Sequence, residues 1–316
     1  RIGGLNMSLT INHQTNDISN ATGTVTVNGT EVGGDNSPVW YGSRGLFGGG
    51  GGPVNTIDYI TIASTGNATD FGDLTVAVRQ LAACSSGVRG VFGGGNSGSN
   101  TNVIEYVTIA TPGNAIDFGD LTVARTSLAA CSSGTRGIFG GGTGYPIDYI
   151  TIATTGNAID FGDLTVNRTN LAACSDGTKG VFGGGAATYN TIDYITIATT
   201  GNAIDFGDLT AGRKDLAACS SGTRGIFGGG WISANSNIID YITIATTGNA
   251  TDFGDLSVAR SAHASCSDGT KGVFGGGYAA DSSDIIDYVT IDTTGNATDF
   301  GDLTVARYQL ASCSGA

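Results

Sequence analysis

Histidine, methionine, tryptophan and proline are nearly missing from this sequence, at two, one, two and four residues in 316. Charge is scarce too, at 13%, so Gly, Thr, Asn and Ser must cover much of the surface. The two histidines, His13 and His263, are little material for an imidazole-based active site or metal centre. Lys and Arg number 14 against 27 acidic residues, and no basic run occurs. Nucleic-acid backbones are bound by clustered cations that release counterions, so no nucleic-acid partner is expected. No apolar stretch reaches the 18 residues of a helical membrane span. No charged segment followed by an apolar one marks a secretory leader. The chain begins at Arg1, as a piece cut from a longer product would.

Glycine, by contrast, is abundant at 54 residues, without a Gly-X-Y period. Much of it falls in one phrase, RGIFGGG (Arg136 to Gly142), which occurs six times with small changes. The cysteines keep the same rhythm: Cys84, Cys131, Cys174, Cys219, Cys266 and Cys313 lie 43 to 47 residues apart. A full unit reads LAACSSGTRGIFGGG, a variable piece, then IDYITIATTGNAIDFGDLTVNR. Six units cover residues 44–316.

Each unit contains four strands and no 3.6-residue periodicity. LAAC is short and apolar, and SSGT or SDGT after it is hairpin-turn chemistry. RGIFG follows, then IDYITIA (Ile147 to Ala153), rich in residues that suit a pleated surface. TTGN turns the chain, and AIDFGDLTV (Ala158 to Val166) returns. A four-stranded repeat of roughly 40–50 residues is a propeller blade, so the expectation is an all-β, six-bladed propeller. Ile147, Tyr149 and Thr151 point to one side and Ile150 and Ile152 to the other, as a blade packed between two neighbours requires. The chain ends in a first-strand segment, Leu310 to Cys313, while the first RGLFGGG lacks one. The two ends therefore complete one sheet, which accounts for a stop at Ala316.

The unit resembles the kelch repeat over all six copies. The residues that carry this are Arg125, Arg168, Arg213, Arg260 and Arg307, the GGG runs, and Phe71, Phe118, Phe161, Phe206, Phe253 and Phe300 at the kelch tryptophan position. The resemblance implies shape rather than chemistry, since kelch-type propellers include enzymes, adaptors and structural proteins. The wording also resembles kelch-like repeats of marine phage virion and tail-fibre proteins. That implies a virion component, assembled in host cytoplasm and displayed on an extracellular particle.

Chemical readings of the repeats are weak. GGG lacks the helix that a phosphate loop needs and instead suits close backbone approach or positive φ. DFGD stands without any other kinase element. The fixed spacing of Asp120/Arg125, Asp163/Arg168, Asp208/Arg213, Asp255/Arg260 and Asp302/Arg307 predicts a partly buried ion pair, or an Arg-to-carbonyl bond, between blades. Calcium would need a dense D-x-D-x-D-G run, which no loop has. The six cysteines read as buried free thiols, too far apart for disulfides. A galactose-oxidase-like copper enzyme would need two converging histidines, and His13 lies outside the ring. No catalytic residue, metal ligand or cofactor site is expected. Sequons at Asn6, Asn20, Asn28, Asn67, Asn167, Asn249 and Asn296 follow from an Asn/Thr-rich composition.

Two segments differ between copies while the turns do not. The piece after GGG runs from TGYP to WISANSNI and YAADSSDI, and the joint between blades varies as well. Meander parity puts both on one face and SSGT and TTGN on the other. Candidate ligand-binding residues on the variable face are Tyr145, Tyr189, Trp231, Asn235, Tyr278, Asp281, His263 and Tyr308. They suit a host-surface glycan or protein receptor, although unconstrained loops also drift. Residues 1–43 do not match the repeat. Leu5, Met7, Leu9 and Ile11 alternate as a strand does, and Gly23 to Val32 reads as a hairpin about Asn28-Gly29. This β arm is expected to contact other virion proteins, with Val39 to Tyr41 flanking the first blade. A purely structural decoration or assembly module is the other non-enzymatic reading.

Overall fold

The computed structural model describes residues 42–52 and 54–316, and the backbone of four short strands before them. The chain divides into two compact units, Arg1–Ser37 and Pro38–Ala316. In the first, Thr10–Asn12 pairs with Asp17–Ser19, and Thr26–Val27 pairs with Thr30–Glu31. The second pair is the hairpin expected about Asn28-Gly29. Leu5, Met7, Leu9, His13 and Val39 to Tyr41 lie outside the described residues.

The second unit is a six-bladed propeller of four-stranded antiparallel sheets. In the third blade the strands, from the axis outward, are Leu128–Ser132, Arg136–Gly141, Pro146–Thr151 and Ile159–Asp163. Inner strands of successive blades adjoin around the axis. Ala311–Gly315 pairs with Arg44–Gly48, Cys313 opposite Leu46, so the two ends of the ring share the first blade.

Both faces of every blade are buried, because alternate residues of the strands serve different neighbours. Ile150 and Ile152 join Cys84, Val91 and Phe118 of the second blade in one cluster. Ile147 and Tyr149 join Phe182 and Ile195 of the fourth blade in the next. Within each blade the third-strand Tyr meets the outer-strand Phe edge to face, as Tyr149 and Phe161 do at 6.1 Å. The Arg or Lys of the second strand covers that Tyr, with the Arg136 guanidinium carbon 4.4 Å from the Tyr149 ring centre.

The glycine run has distinct duties. A Cβ on Gly140 would lie 2.6 Å from the Phe182 ring of the next blade, so that Phe fits only over a bare backbone. Gly142 has φ +92° and lies over the alkyl stem of Arg125. Close approach and positive φ both apply, at different glycines of one phrase.

Blades are joined by repeated polar contacts. The inner-strand hydroxyl of Ser132 donates to Ser85 O at 2.7 Å, and Ser85 donates to Ser314 O at 2.6 Å across the chain ends. TTGN reaches back to the preceding blade's outer strand: Gly156 N donates to Phe118 O at 2.8 Å and Ala158 N to Asp120 O at 2.7 Å. The Asn157 side chain takes Asp120 N at 3.1 Å, and Asn67, Asn249 and Asn296 of the sequons do likewise. These asparagines are used as backbone caps.

Two expectations are corrected. The outer strand ends at Asp163 rather than Val166, because Leu164 N and Thr165 leave the sheet to bond Tyr145 O and the Asp193 carboxylate of the next blade. The arginines also choose other partners. Arg168 pairs with Asp193 at 2.7 Å rather than with Asp163, and Arg125 with Asp148 at 2.9 Å rather than with Asp120. Arg213, Arg260 and Arg307 take Asp240, Asp287 and Asp58. The outer-strand aspartates sit at the solvent edge, while the third-strand aspartates are fully buried. Each arginine also donates to the second-strand Phe carbonyl, as Arg125 does to Phe139 O at 3.1 Å. Burial pulls the guanidinium pKa down and the facing aspartate opposes it. Five interfaces carry this clamp; between the first and second blades the same positions hold Val78 and Glu105.

Removing one partner of a buried pair leaves an uncompensated charge and costs about 3–5 kcal/mol. Asp193→Ala is therefore expected to lower the denaturation midpoint in urea substantially. Asp163→Ala, at the solvent edge, is expected to change stability by less than about 1 kcal/mol.

Candidate functional site

The two variable segments are hydrogen-bonded partners. After GGG in the fifth blade, Trp231 N donates to Lys214 O at 2.7 Å, and Lys214 N to Trp231 O at 3.1 Å. Tyr278 and Ser261 exchange the same pair of bonds in the sixth blade, as do Asn96 and Arg79 in the second. Post-GGG loops and inter-blade joints therefore lie side by side on one face. The SSGT turn lies away from them, beside the end of the third strand, where Ile152 N donates to Thr135 O at 2.9 Å.

The joints converge on the axis. Gln80, Ser127, Asn170, Asp215, Ala262 and Gln309 all take left-handed φ of 55° to 59°. Each donates its N–H to the carbonyl of the equivalent residue in the preceding joint, at 2.6 to 2.9 Å, and Gln80 closes the circle onto Gln309. Left-handed conformation costs a non-glycine residue roughly 1–2 kcal/mol, offset here by a closed ring of hydrogen bonds that satisfies six amides. The side chains rim the mouth of the axial channel. Asn170 Nδ2 donates to Asp215 Oδ1, and Lys214 Nζ lies 3.9 Å from Asp215. Burial pushes the Asp215 carboxyl pKa up, and Asn170 and Lys214 oppose it.

Farther along the axis, triplets from all six inner strands surround a narrow cavity of about 80 Å³: four are Ala-Cys-Ser, and Ser265–Ser267 and Ser312–Ser314 are Ser-Cys-Ser. The thiols turn away into the blade interfaces, where Cys84 Sγ fills the space beside Gly137. All six are buried and none forms a disulfide. Burial raises every thiol pKa, that of Cys313 to about 12. No group of three or more His, Cys, Asp or Glu among the described residues is arranged to hold a metal ion.

The candidate residues fall into three sets. Trp231, Asn235, Tyr278 and Tyr308 form one arc over the fifth, sixth and first blades. Asn235 Nδ2 donates to Ala279 O at 2.6 Å and its Oδ1 accepts from Ser261 Oγ at 2.9 Å, tying the two loops together. The Tyr278 and Tyr308 rings meet edge to face at 5.7 Å, and Tyr308 covers Gly51 of the first-blade loop. Trp231 and Tyr278 remain 36% and 41% exposed, and Asp281 is exposed beside them. Tyr145 (exposed) and Tyr189 (half-buried) stand on the third- and fourth-blade loops, with no contact to the arc among the described residues. His263 does not reach the surface: it is 5% exposed, its ring lies 5.8 Å from Phe274, and burial holds its pKa well below the usual value. Comparing copies explains this, since His263 occupies the buried Leu128 position of TSLAAC.

Sequence reasoning counted Lys214-Asp215 and Ser261-Ala262-His263 among the variable joints without naming Lys214 or Ser261 as binding residues, and it missed the axial ring. Their signal is positional: the varying residues stand at a constant offset before each inner strand, where backbone geometry rather than side chain repeats.

The described chain is thus an all-β, six-bladed propeller whose turns repeat on one face and whose loops vary on the other. A scan against protein-family models finds no match, and a search of curated proteins finds none.

The thiols give a test of the axial packing. A thiol with a raised folded pKa stays protonated while the unfolded chain ionises near about 8.5. The unfolded state then holds fewer protons, so stability falls as pH rises above that value. Urea midpoints measured from pH 7 to 10 are expected to decline. Maleimide is expected to label the native protein slowly and all six thiols of the urea-unfolded protein rapidly.

Proposed function

We propose that this protein is a kelch-like, non-catalytic phage virion surface or tail-fibre component that binds a host receptor or glycan through its variable face. The observation that carries the reading is the arc of Trp231, Asn235, Tyr278 and Tyr308 on a hydrogen-bonded scaffold. Exposed aromatic faces beside amide and carboxylate groups suit sugar rings, which present C–H patches and hydroxyls together. They equally suit a protein loop. Rigid anchors lose little conformational entropy on binding, and the backbone pairs at Trp231 and Tyr278 supply that rigidity. The charge-poor, Asn/Thr/Gly-rich composition and the wording of the repeats support the virion setting.

Glycan-array and host-cell binding by the full chain tests the reading. The Trp231→Ala/Tyr278→Ala variant is expected to lose about tenfold or more in affinity with an unchanged melting temperature. Wild-type protein that binds neither glycans nor cells, yet makes a repeating contact in a map of an intact particle, would make it an assembly module instead.

A further inference from the structure

The interface between the first and second blades departs from the other five in a correlated way. Val78 stands where Arg125, Arg168, Arg213, Arg260 and Arg307 stand elsewhere, and Glu105 stands where the buried aspartates do. Glu105 keeps the aspartate's local role, because its Oε2 accepts from Thr75 N at 2.7 Å just as Asp148 accepts from Thr122. It is only 5% exposed, and no cation lies within ion-pair distance among the described residues. Burial raises its pKa, which marks a carboxylate lacking the counter-charge that its five equivalents have.

No side chain of the protein fills the space that the guanidinium takes elsewhere. A cavity of about 220 Å³ lies between Val78, Leu81, Phe92, Gly94, Val103 and Glu105. A water molecule occupies about 30 Å³, so a small organic cation fits. The acceptors of the clamp remain. Arg168 donates to Phe182 O, Gly184 O and Thr191 O, and the corresponding residues here are Phe92, Gly94 and Val103. Val76 and Val103 at its edge are exposed, which gives the cavity a way out to solvent.

We propose that this cavity is a binding site for an alkylguanidinium cation, which would complete there the clamp the other five interfaces supply from their own chain. The occupant's chemistry follows from the cradle: a planar fork of N–H donors for a carboxylate and in-line carbonyls, with a short apolar stem against Val78 and Leu81. A free small guanidine and an arginine side chain of a partner protein share this chemistry. The site lies apart from the aromatic arc, so either proposal can fail without the other.

Titration calorimetry of the full chain with millimolar n-propylguanidine tests it, with n-propylurea as the neutral isostere. Binding is expected for the guanidine alone, with a rise in melting temperature. Glu105→Gln is expected to weaken it by about tenfold or more. Val78→Arg/Glu105→Asp, which rebuilds the clamp internally, is expected to abolish binding and to melt higher than wild type. A blocked Arg-containing peptide separates the sources: binding as tight as propylguanidine points to a partner's side chain, and failure of the peptide alone points to a small ligand. The proposal is overturned if wild type does not bind the guanidine, if propylurea binds equally, or if a folded Glu105→Gln protein binds as wild type does.

Discussion

A charge buried with its counter-charge between neighbouring blades sets the terms for most of this structure. Each clamp needs an arginine delivered from the joint, an aspartate raised on the next blade's third strand and carbonyls left bare by glycine. The joint must leave the outer strand early so that its threonine, or Ser257 before the sixth blade, arrives with the arginine at the aspartate. The glycines must stay glycines so that the arginine stem and the neighbouring Phe can lie on backbone. A buried ion pair adds little net stability over an apolar pair, but it penalises any arrangement that separates its members. In a ring of near-identical units, that penalty fixes blade spacing and orientation.

The architecture was legible because the repeat exposes it. Hairpin chemistry at SSGT, alternation in IDYITIA and the unmatched first-strand segment at Leu310 lead to six blades and a shared first sheet. The clamp was half legible. Fixed spacing pointed to Asp163 for Arg168, whereas the partner, Asp193, lies 25 residues farther along the chain. The clue was Asp148 in IDYIT, on the same side of the strand as Ile150 and Ile152. A charge at a position whose neighbours are buried needs a partner from outside the strand.

The variable face was legible as a face, but the contacts upon it were not. Parity of a meander places loops, whereas contact between Tyr278 and Tyr308, or between Asn235 and Ala279, depends on the curvature of the ring. His263 shows the converse: its letter stands out, yet its place among the copies is a leucine's. Val78 and Glu105 stand out only when both are compared with the other five interfaces at once.

The reach of TTGN onto the preceding outer strand bears on how the molecule meets others. An outer strand normally presents unpaired amides and carbonyls that invite another chain to add a strand. Here those groups, at Phe118 O, Asp120 O and Asp120 N, are already taken, and the same stitch spans the chain ends between Gly66 and Phe300. At these positions the rim offers no free backbone group to an added strand. A neighbour arriving at those positions meets side chains instead, so a contact there rests on side-chain chemistry rather than on strand addition.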